Sequence, residues 1–402
     1  MDSFDLIRSL SVKSASRIVL LVLDGGGGLP HPETGRTEME TAATPNLDRL
    51  VAEAVCGVTD PVLRGITPGS GPAHLALFGY DPIAHNIGRG MLGAAGIGFP
   101  VERGDVAARI NFATFDPDGR VVDRRAGRIP TEVCERLCAG LDAIEVEGAE
   151  LFVRPEKQHR AAVIFRGPGL GDRLNDTDPQ KVGARPLALE AHDAASASTA
   201  AAARAFLDEA FRRLASEHPA NGILLRGFAA YPELPSFREV YKLAPACIAT
   251  YPMYRGVARF AGMEVLEVAG DSFADEVGTL EARYGDFDFF FVHFKATDAA
   301  GEDGDFERKV RLFEEVDREI PRIRALHPDV LVVTSDHSTP ARLKAHSWHP
   351  CPFVLWSPSA RPDLVTSFGE RELARGGLGR FAAREAMVLM MAHALKLEKF
   401  GA

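Results

Sequence analysis

The sequence predicts an α/β fold: a mostly parallel sheet flanked by helices, with an inserted α+β cap domain. Three observations carry that prediction. Two apolar runs near opposite ends of the chain, Ile18-Val-Leu-Leu-Val-Leu and Val330-Leu-Val-Val-Thr-Ser, each lead into an aspartate, Asp24 and Asp336. Continuous apolar runs of strand length read as strands buried on both faces, as in a parallel sheet. Strand-sized and helix-sized segments alternate toward both ends, whereas the middle of the chain alternates like exposed strands around one Ala-rich helix. Residues 1–109 and 241–402 are therefore expected to form the core and residues 110–240 the cap.

Taken in order, residues 18–24 read as a buried strand, and Glu38 to Val55 as helical, with Thr44-Pro-Asn-Leu-Asp at a helix start. Ser70-Gly-Pro-Ala-His-Leu opens another helix. Residues 105–130 read as a strand, a Pro117-Asp-Gly turn and a second segment bearing Arg124, Arg125 and Arg128. Residues 150–167 alternate like strands, and Asp193 to His218 has helical periodicity through Phe206, Ala210 and Leu214. Asn221 to Arg226 reads as a strand. Further on, residues 289–294, 329–335 and 352–356 read as strands, and 305–325 and 380–397 as helices.

Composition narrows the function classes. The 402 residues carry a formal net charge of −10 with acidic groups spread throughout, which argues against general nucleic-acid affinity. The acidic first residues give no signal-peptide pattern, and no apolar run is long enough to span a bilayer, so a cytoplasmic, non-membrane protein is expected. The odd, scattered set of five cysteines fits reduced thiols. Cys134 and Cys138 lie four apart on an expected helix, but no further ligands for a thiolate metal site lie near them. Gly25–Gly28 follows a strand, yet it lacks dinucleotide-loop spacing and is followed by Pro30 and Pro32.

Parallel-sheet carboxyl edges are where open α/β sheets bind ligands. Asp24, Asp298, Glu302 and Asp336 with His337 and His346 make a mixed oxygen and nitrogen set at such edges. Aspartates at strand ends also act as turn formers and helix caps. A set of this size suits two divalent ions, and ions ~4 Å apart clamp an in-line displacement at phosphorus. Oxygen-rich ligands with some histidine favour Mn²⁺, with Mg²⁺, Co²⁺ or Zn²⁺ as alternatives. Ser70 reads as a helix cap and as a nucleophile, roles that are compatible because a helix N-terminus also favours phosphate. His74 and His349 are expected to be structural or to support the ligands. A second, basic set comprises Arg124, Arg125 and Arg128 beside Asp123, with Asn111, Arg160 and Arg226 on cap strands. Few carboxylates lie nearby in sequence, so the set suits a small substrate bearing phosphate and carboxylate.

The Asp24 strand, Thr44-Pro-Asn-Leu-Asp-Arg-Leu, Pro68-Gly-Ser-Gly-Pro-Ala-His-Leu-Ala-Leu-Phe-Gly-Tyr-Asp-Pro82, Gly88-Arg-Gly90, Asp123-Arg-Arg-Ala-Gly-Arg128, Lys295-Ala-Thr-Asp298 and Asp336-His-Ser-Thr-Pro span nearly the whole chain. In these stretches the chain resembles the archaeal type of cofactor-independent phosphoglycerate mutase, in the alkaline phosphatase superfamily. The resemblance implies an alkaline-phosphatase-like core with an inserted cap, and interconversion of 3-phosphoglycerate and 2-phosphoglycerate in glycolysis and gluconeogenesis. By the same resemblance Ser70 carries the phosphoryl group. Asp24, Ser70, Asp336 and His337 would hold one ion, and Asp298, position 302 and His346 the other, with no need for 2,3-bisphosphoglycerate. Lys295 is expected to neutralise developing charge, and the arginines to hold glycerate. Two departures stand out: Gly71 where the family often has Asp, and Glu302 where it usually has His. A metal-dependent phosphohydrolase or another phosphomutase of the same superfamily is the alternative reading. A non-enzymatic metal- or phosphate-binding protein is disfavoured by the competent residue at every position.

Overall fold

The computed structural model describes residues 3–401. It divides into two compact units. One runs to Asn86 and resumes at Leu234; the other is Ile87–Glu233. The division falls earlier than residues 110 and 240 because a helix, Arg89–Gly96, packs on the second unit's sheet. Its Gly90 lies against the backbone of Ala107 and Ala108, where a Cβ has no room. Three glycines in eight residues hid this helix from its sequence pattern.

The first unit holds an eight-stranded sheet. Its order is Gly379–Ala382, Val55–Asp60, Cys351–Trp356, Val330–Thr334, Ile18–Leu23, Phe289–Phe294, Pro245–Ala249 and Glu264–Leu266. Only Cys351–Trp356 runs against its neighbours. Ile18–Leu23, Phe289–Phe294 and Val330–Thr334 are buried along their whole length, as continuous apolar runs require. One core cluster joins Leu21, Phe290 and Val333 to Phe313, Val316 and Ile320 of the helix Phe306–Ala325.

Register then fixes the edge. Leu23 pairs with Phe294, and Val22 with Thr334. Asp24, Lys295 and Asp336 therefore leave the sheet at nearly one level. No side-chain contact is needed to bring them there; parallel pairing does it.

The second unit is an antiparallel sheet. Val106–Phe115 is paired by Arg160–Arg166 and Gly222–Ala230, with Glu150–Lys157 beyond Arg160–Arg166 and Val121–Asp123 at the far end. Helices Thr131–Asp142 and Ala197–Leu214 contribute Leu137, Leu141, Phe206 and Ala210 to its own core.

Some elements differ from their expected form. The stretch from Glu38 to Val55 is two helices, Glu38–Thr41 and Pro45–Ala52, followed by the strand Val55–Asp60. Pro45 disfavours a helical Thr44 and starts a new helix at its first turn. Its free amides are met from a distance: Asp317 Oδ1 accepts from the Asn46 and Leu47 N–H groups at 2.9 and 2.8 Å. Residues 380–397 begin not as helix but as the strand Gly379–Ala382, followed by a 3₁₀ turn and the helix Ala386–His393. Arg380 makes a bidentate pair with Asp60 on the neighbouring strand, a partner 320 residues away that local periodicity cannot reveal. The segment carrying the three arginines is mostly turn rather than strand; only Val121–Asp123 pairs.

Candidate active site

The sheet edge of the first unit collects buried titratable groups. Asp24, Asp298, Asp336 and His337 are wholly buried. One ligand atom from each of Asp24, Asp336 and His337 lies within 4.8 Å of the others, and the same holds for Asp298, His337 and His346. His337 is shared: its Nε2 stands 3.2 Å from both Asp24 Oδ1 and Asp336 Oδ2, while its Nδ1 faces Asp298 and the Thr339 hydroxyl. His346 stacks on the His337 ring and lies 3.8 Å from Asp298.

Ser70 begins the helix Ser70–Leu77. The sequence suggested that its hydroxyl caps this helix. Instead Gly69 is the cap residue with no side-chain hydrogen bond, and Ser70 Oγ lies 3.1 Å from His337 Nε2. The hydroxyl thus points at the carboxylate–imidazole cluster, while its backbone sits among the free N–H groups of a helix start. Gly71, where the family often has Asp, is buried one residue on.

Lys295 bridges the cluster. Its Nζ lies 3.1 Å from Asp24 Oδ2 and forms a short ion pair with Asp298. Burial by itself would push the Asp24 carboxyl up, but Lys295, His293 and His337 hold it well below the usual carboxylate range. Burial would likewise lower the Lys295 ammonium, and Asp24 and Asp298 reverse that. Asp336 goes the other way: burial and then the charge of Asp24 push its carboxyl well above the ordinary value. Two close carboxylates with opposite shifts share the cost of one excess charge.

Buried groups stand behind the site: sequence reasoning left Tyr254 and His293 out of it, and expected His74 to be structural or to support the ligands. Tyr254 donates a short hydrogen bond to Asp24, and His293 Nε2 is 3.3 Å from the same carboxylate. His74 Nδ1 lies 2.8 Å from the Ser70 carbonyl and 3.3 Å from Asp336. Burial lowers its pKa to about 3, so it remains neutral. The alternation of the strand Phe289–Phe294 reveals nothing of His293, because the strand is buried on both faces.

The donor chemistry fits divalent cations. Asp24 Oδ1 and Asp336 Oδ2 are buried without a hydrogen-bond partner. Such oxygens cost free energy unless something binds them. Glu302 is in neither group: it lies one turn beyond Asp298 on the helix Ala296–Asp303, with its side chain exposed.

The second unit assembles the basic set. Arg124 makes a bidentate contact with the buried Asp178, Nε to Oδ1 at 2.9 Å and the second nitrogen to Oδ2 at 2.7 Å. Arg226 lies 3.4 Å from the same carboxylate. The sparse local carboxylates expected around the arginines are thus corrected by one from 54 residues away. The segment Asn175–Gln180 is tied to the strand Gly222–Ala230 through Thr177 and Leu225 and carries this organising aspartate. Asp123 accepts from the Arg125 and Gly127 amides, which shapes the turn. Ala126, Gly127 and Arg128 are consecutive residues with positive φ (45°, 64° and 55°), costly for the two that are not glycine. Arg125 and Arg128 are exposed, and neither guanidinium has an ion-pair partner among the described residues. Asn111 is buried on the strand Val106–Phe115, opposite Arg160, with its Oδ1 unpaired.

A serine hydroxyl beside overlapping carboxylate–imidazole groups at a parallel sheet's carboxyl edge is the donor set of a metal-dependent phosphoryl-transfer enzyme. A family profile described as 2,3-bisphosphoglycerate-independent phosphoglycerate mutase matches residues 52–221. A Thermus thermophilus protein named "Probable 2,3-bisphosphoglycerate-independent phosphoglycerate mutase" is 51% identical, with 100% of both chains covered. An Aquifex aeolicus protein of the same name is 47% identical over 99% of this chain and 100% of its own. Among solved structures, the cofactor-independent phosphoglycerate mutase of Thermoplasma acidophilum is similar with a TM-score of 0.73, 30% identity, and 94% and 100% of the two chains covered. A Pyrococcus horikoshii protein is similar with a TM-score of 0.84, 30% identity, and 96% and 99% covered. The chain belongs to the 2,3-bisphosphoglycerate-independent phosphoglycerate mutase family, a family of isomerases. Asp24, Asp336 and His337, and Asp298, His337 and His346, are two groups that could each hold a metal ion. Among the described residues no helix is long and apolar enough to cross a membrane.

Proposed function

We propose that this chain interconverts 3-phosphoglycerate and 2-phosphoglycerate through a phosphoserine at Ser70. The observation that carries the proposal is the Ser70 hydroxyl, 3.1 Å from the imidazole that belongs to both carboxylate–imidazole groups. Asp24, Ser70, Asp336 and His337 would hold one divalent ion. Asp298 and His346 would hold a second, with Glu302 joining them from the same helix face, as its i,i+4 spacing allows. Mn²⁺ suits this set best. Bound ions supply Lewis-acid stabilisation of phosphoryl charge and lower the pKa of the serine hydroxyl.

The chain's own residues do the rest. Ser70 Oγ attacks phosphorus in line; the new P–O bond forms as the bond to the glycerate oxygen breaks, and the free glycerate hydroxyl takes up a proton. Helix N–H groups at Ser70 and the Lys295 ammonium offset charge on the phosphoryl oxygens. Arg125, Arg128 and Arg160, with Arg124 and Arg226 set by Asp178 and with Asn111, hold the glycerate by its carboxylate, and Asp123 accepts from a glycerate hydroxyl. Its other hydroxyl then attacks the phosphoserine, which restores Ser70. Water must be kept out in between, or the same groups hydrolyse the phosphoserine.

The Mn²⁺-loaded protein incubated with 3-phosphoglycerate should give 2-phosphoglycerate by ³¹P NMR without matching release of phosphate. Free phosphate and glycerate as the main products would make the chain a phosphohydrolase instead.

Glu302→Gln is expected to lower both metal content and turnover, since it removes a charged oxygen donor. Unchanged values for both would show that the second ion is held without this residue. Arg125→Ala and Arg128→Ala should each weaken substrate use by roughly tenfold or more, as loss of a charge-assisted contact of ~1.5–3 kcal/mol implies. At least one should also shift products toward hydrolysis. Parallel mutase and phosphatase assays with unfolding midpoints check this; if neither rate moves in either variant, the exposed arginines form a solvated turn.

A further inference from the structure

The Gly25–Gly28 run is not a dinucleotide loop, and the proposed chemistry gives it no task. It is nevertheless buried, and it packs against the ligand groups: a Cβ on Gly25 would lie 2.6 Å from both Asp298 Oδ1 and Thr339 Oγ1. One side chain grips its backbone. Lys309, near the start of the helix Phe306–Ala325, is fully buried. Its Nζ donates to the carbonyl oxygens of Gly25 at 2.8 Å, Gly27 at 3.1 Å and Thr339 at 2.8 Å. Three ammonium donors thus meet three carbonyls, and among the described residues no carboxylate is within ion-pair distance of Lys309.

A lysine buried only for stability would pair with a carboxylate, because an unpaired buried charge is expensive. Lys309 instead occupies a carbonyl cage, as a monovalent cation would. Burial pushes its ammonium down, and the buried Glu38 and half-buried Glu370 oppose that from nearby. Glu370 accepts from the Gly28 N–H at 2.8 Å, and Glu38 accepts from the Ala341 N–H at 2.8 Å. The lysine and both carboxylates therefore hold the same two loops.

Those loops carry the cluster. The Thr339 N–H donates to the Gly25 and Gly27 carbonyls at 3.1 Å. Its hydroxyl donates to Asp298 Oδ1 at 2.6 Å and lies 3.0 Å from His337 Nδ1. The Gly25 N–H donates to Asp336 Oδ1 at 3.1 Å. Displacing either loop therefore displaces ligand groups at both.

We propose that Lys309 is a positioning residue, a built-in cation whose three carbonyl contacts fasten the loop after Asp24 to the loop after His337 and so preform the metal-binding cluster. The inference rests on reading Asp24, Asp298 and His337 as cation ligands. The test is Mn²⁺ titration followed by the EPR signal of the free ion, on the full chain as wild type, Lys309→Met and Lys309→Gln. It is accompanied by hydrogen exchange of residues 25–28 and by unfolding midpoints. The expected result is a folded Lys309→Met with Mn²⁺ affinity at least tenfold weaker and faster exchange in 25–28. Lys309→Gln, which keeps two donors, should recover part of both. Wild-type or tighter Mn²⁺ binding by Lys309→Met overturns the proposal, since it is the result of removing a mere repelling charge. Failure of both variants to fold overturns it too, because Lys309 would then be a determinant of the fold. A wild-type chain that binds no Mn²⁺ overturns the metal reading itself and the positioning role with it.

Discussion

Ser70→Ala should abolish turnover, by at least about 10⁴-fold, and leave the fold intact. Loss of a nucleophile that works as a unit with its activating groups removes nearly all of the chemical step. The structural cost is small. Ser70 makes no cap hydrogen bond, so only its contact to His337 disappears, worth about 1 kcal/mol. Alanine is also the better helix former at that first position. Steady-state rates, the unfolding midpoint and the intact mass after incubation with substrate check this together. A variant that turned over like wild type, or that still carried a phosphoryl group, would remove Ser70 from the mechanism.

Asp24→Asn should weaken divalent-metal binding and turnover by more than about 100-fold, beyond what loss of a supporting partner costs. The carboxylate lies at the meeting point of Lys295, His293, Tyr254 and His337. An amide of the same shape keeps the packing but replaces an acceptor oxygen with a donor nitrogen. Lys295 would then keep only Asp298 as an ion-pair partner. Metal content and kcat measured across a Mn²⁺ series separate the two losses: added Mn²⁺ should restore part of the rate. Wild-type metal content and rate in Asp24→Asn would place the ion elsewhere.

Why these positions were legible in the sequence follows from the sheet. An apolar strand buried on both faces announces itself, and parallel pairing sets the residues after Ile18–Leu23, Phe289–Phe294 and Val330–Thr334 at one edge. Asp24 and Asp336 could be placed from those runs alone, whereas Lys295 entered with the family resemblance. His346 came with them because it lies in the loop directly after Asp336. The groups behind them could not be found in this way. Tyr254 sits on a helix whose facing partner is set by tertiary packing, and His293 sits inside an otherwise apolar strand; of these groups only His74 was expected, as structural or supporting the ligands.

Lys309 was invisible for a related reason. On the helix Phe306–Ala325 it reads as one charge among many, and only the fold shows it fully buried against glycine carbonyls. The arginine set was found because three of its members are neighbours in sequence, but the aspartate that organises Arg124 and Arg226 is remote. Helix Arg89–Gly96 was missed through its glycines, and the strand Gly379–Ala382 because its pairing with Val55–Asp60 is non-local.

The central claim is that the phosphoryl group passes from one glycerate hydroxyl to the other without being lost to water. Its most direct test is turnover of 3-phosphoglycerate in H₂¹⁸O with Mn²⁺, read by ³¹P NMR isotope shifts. Such transfer predicts 2-phosphoglycerate free of ¹⁸O in its phosphoryl group. Phosphate carrying ¹⁸O as the main product would contradict it.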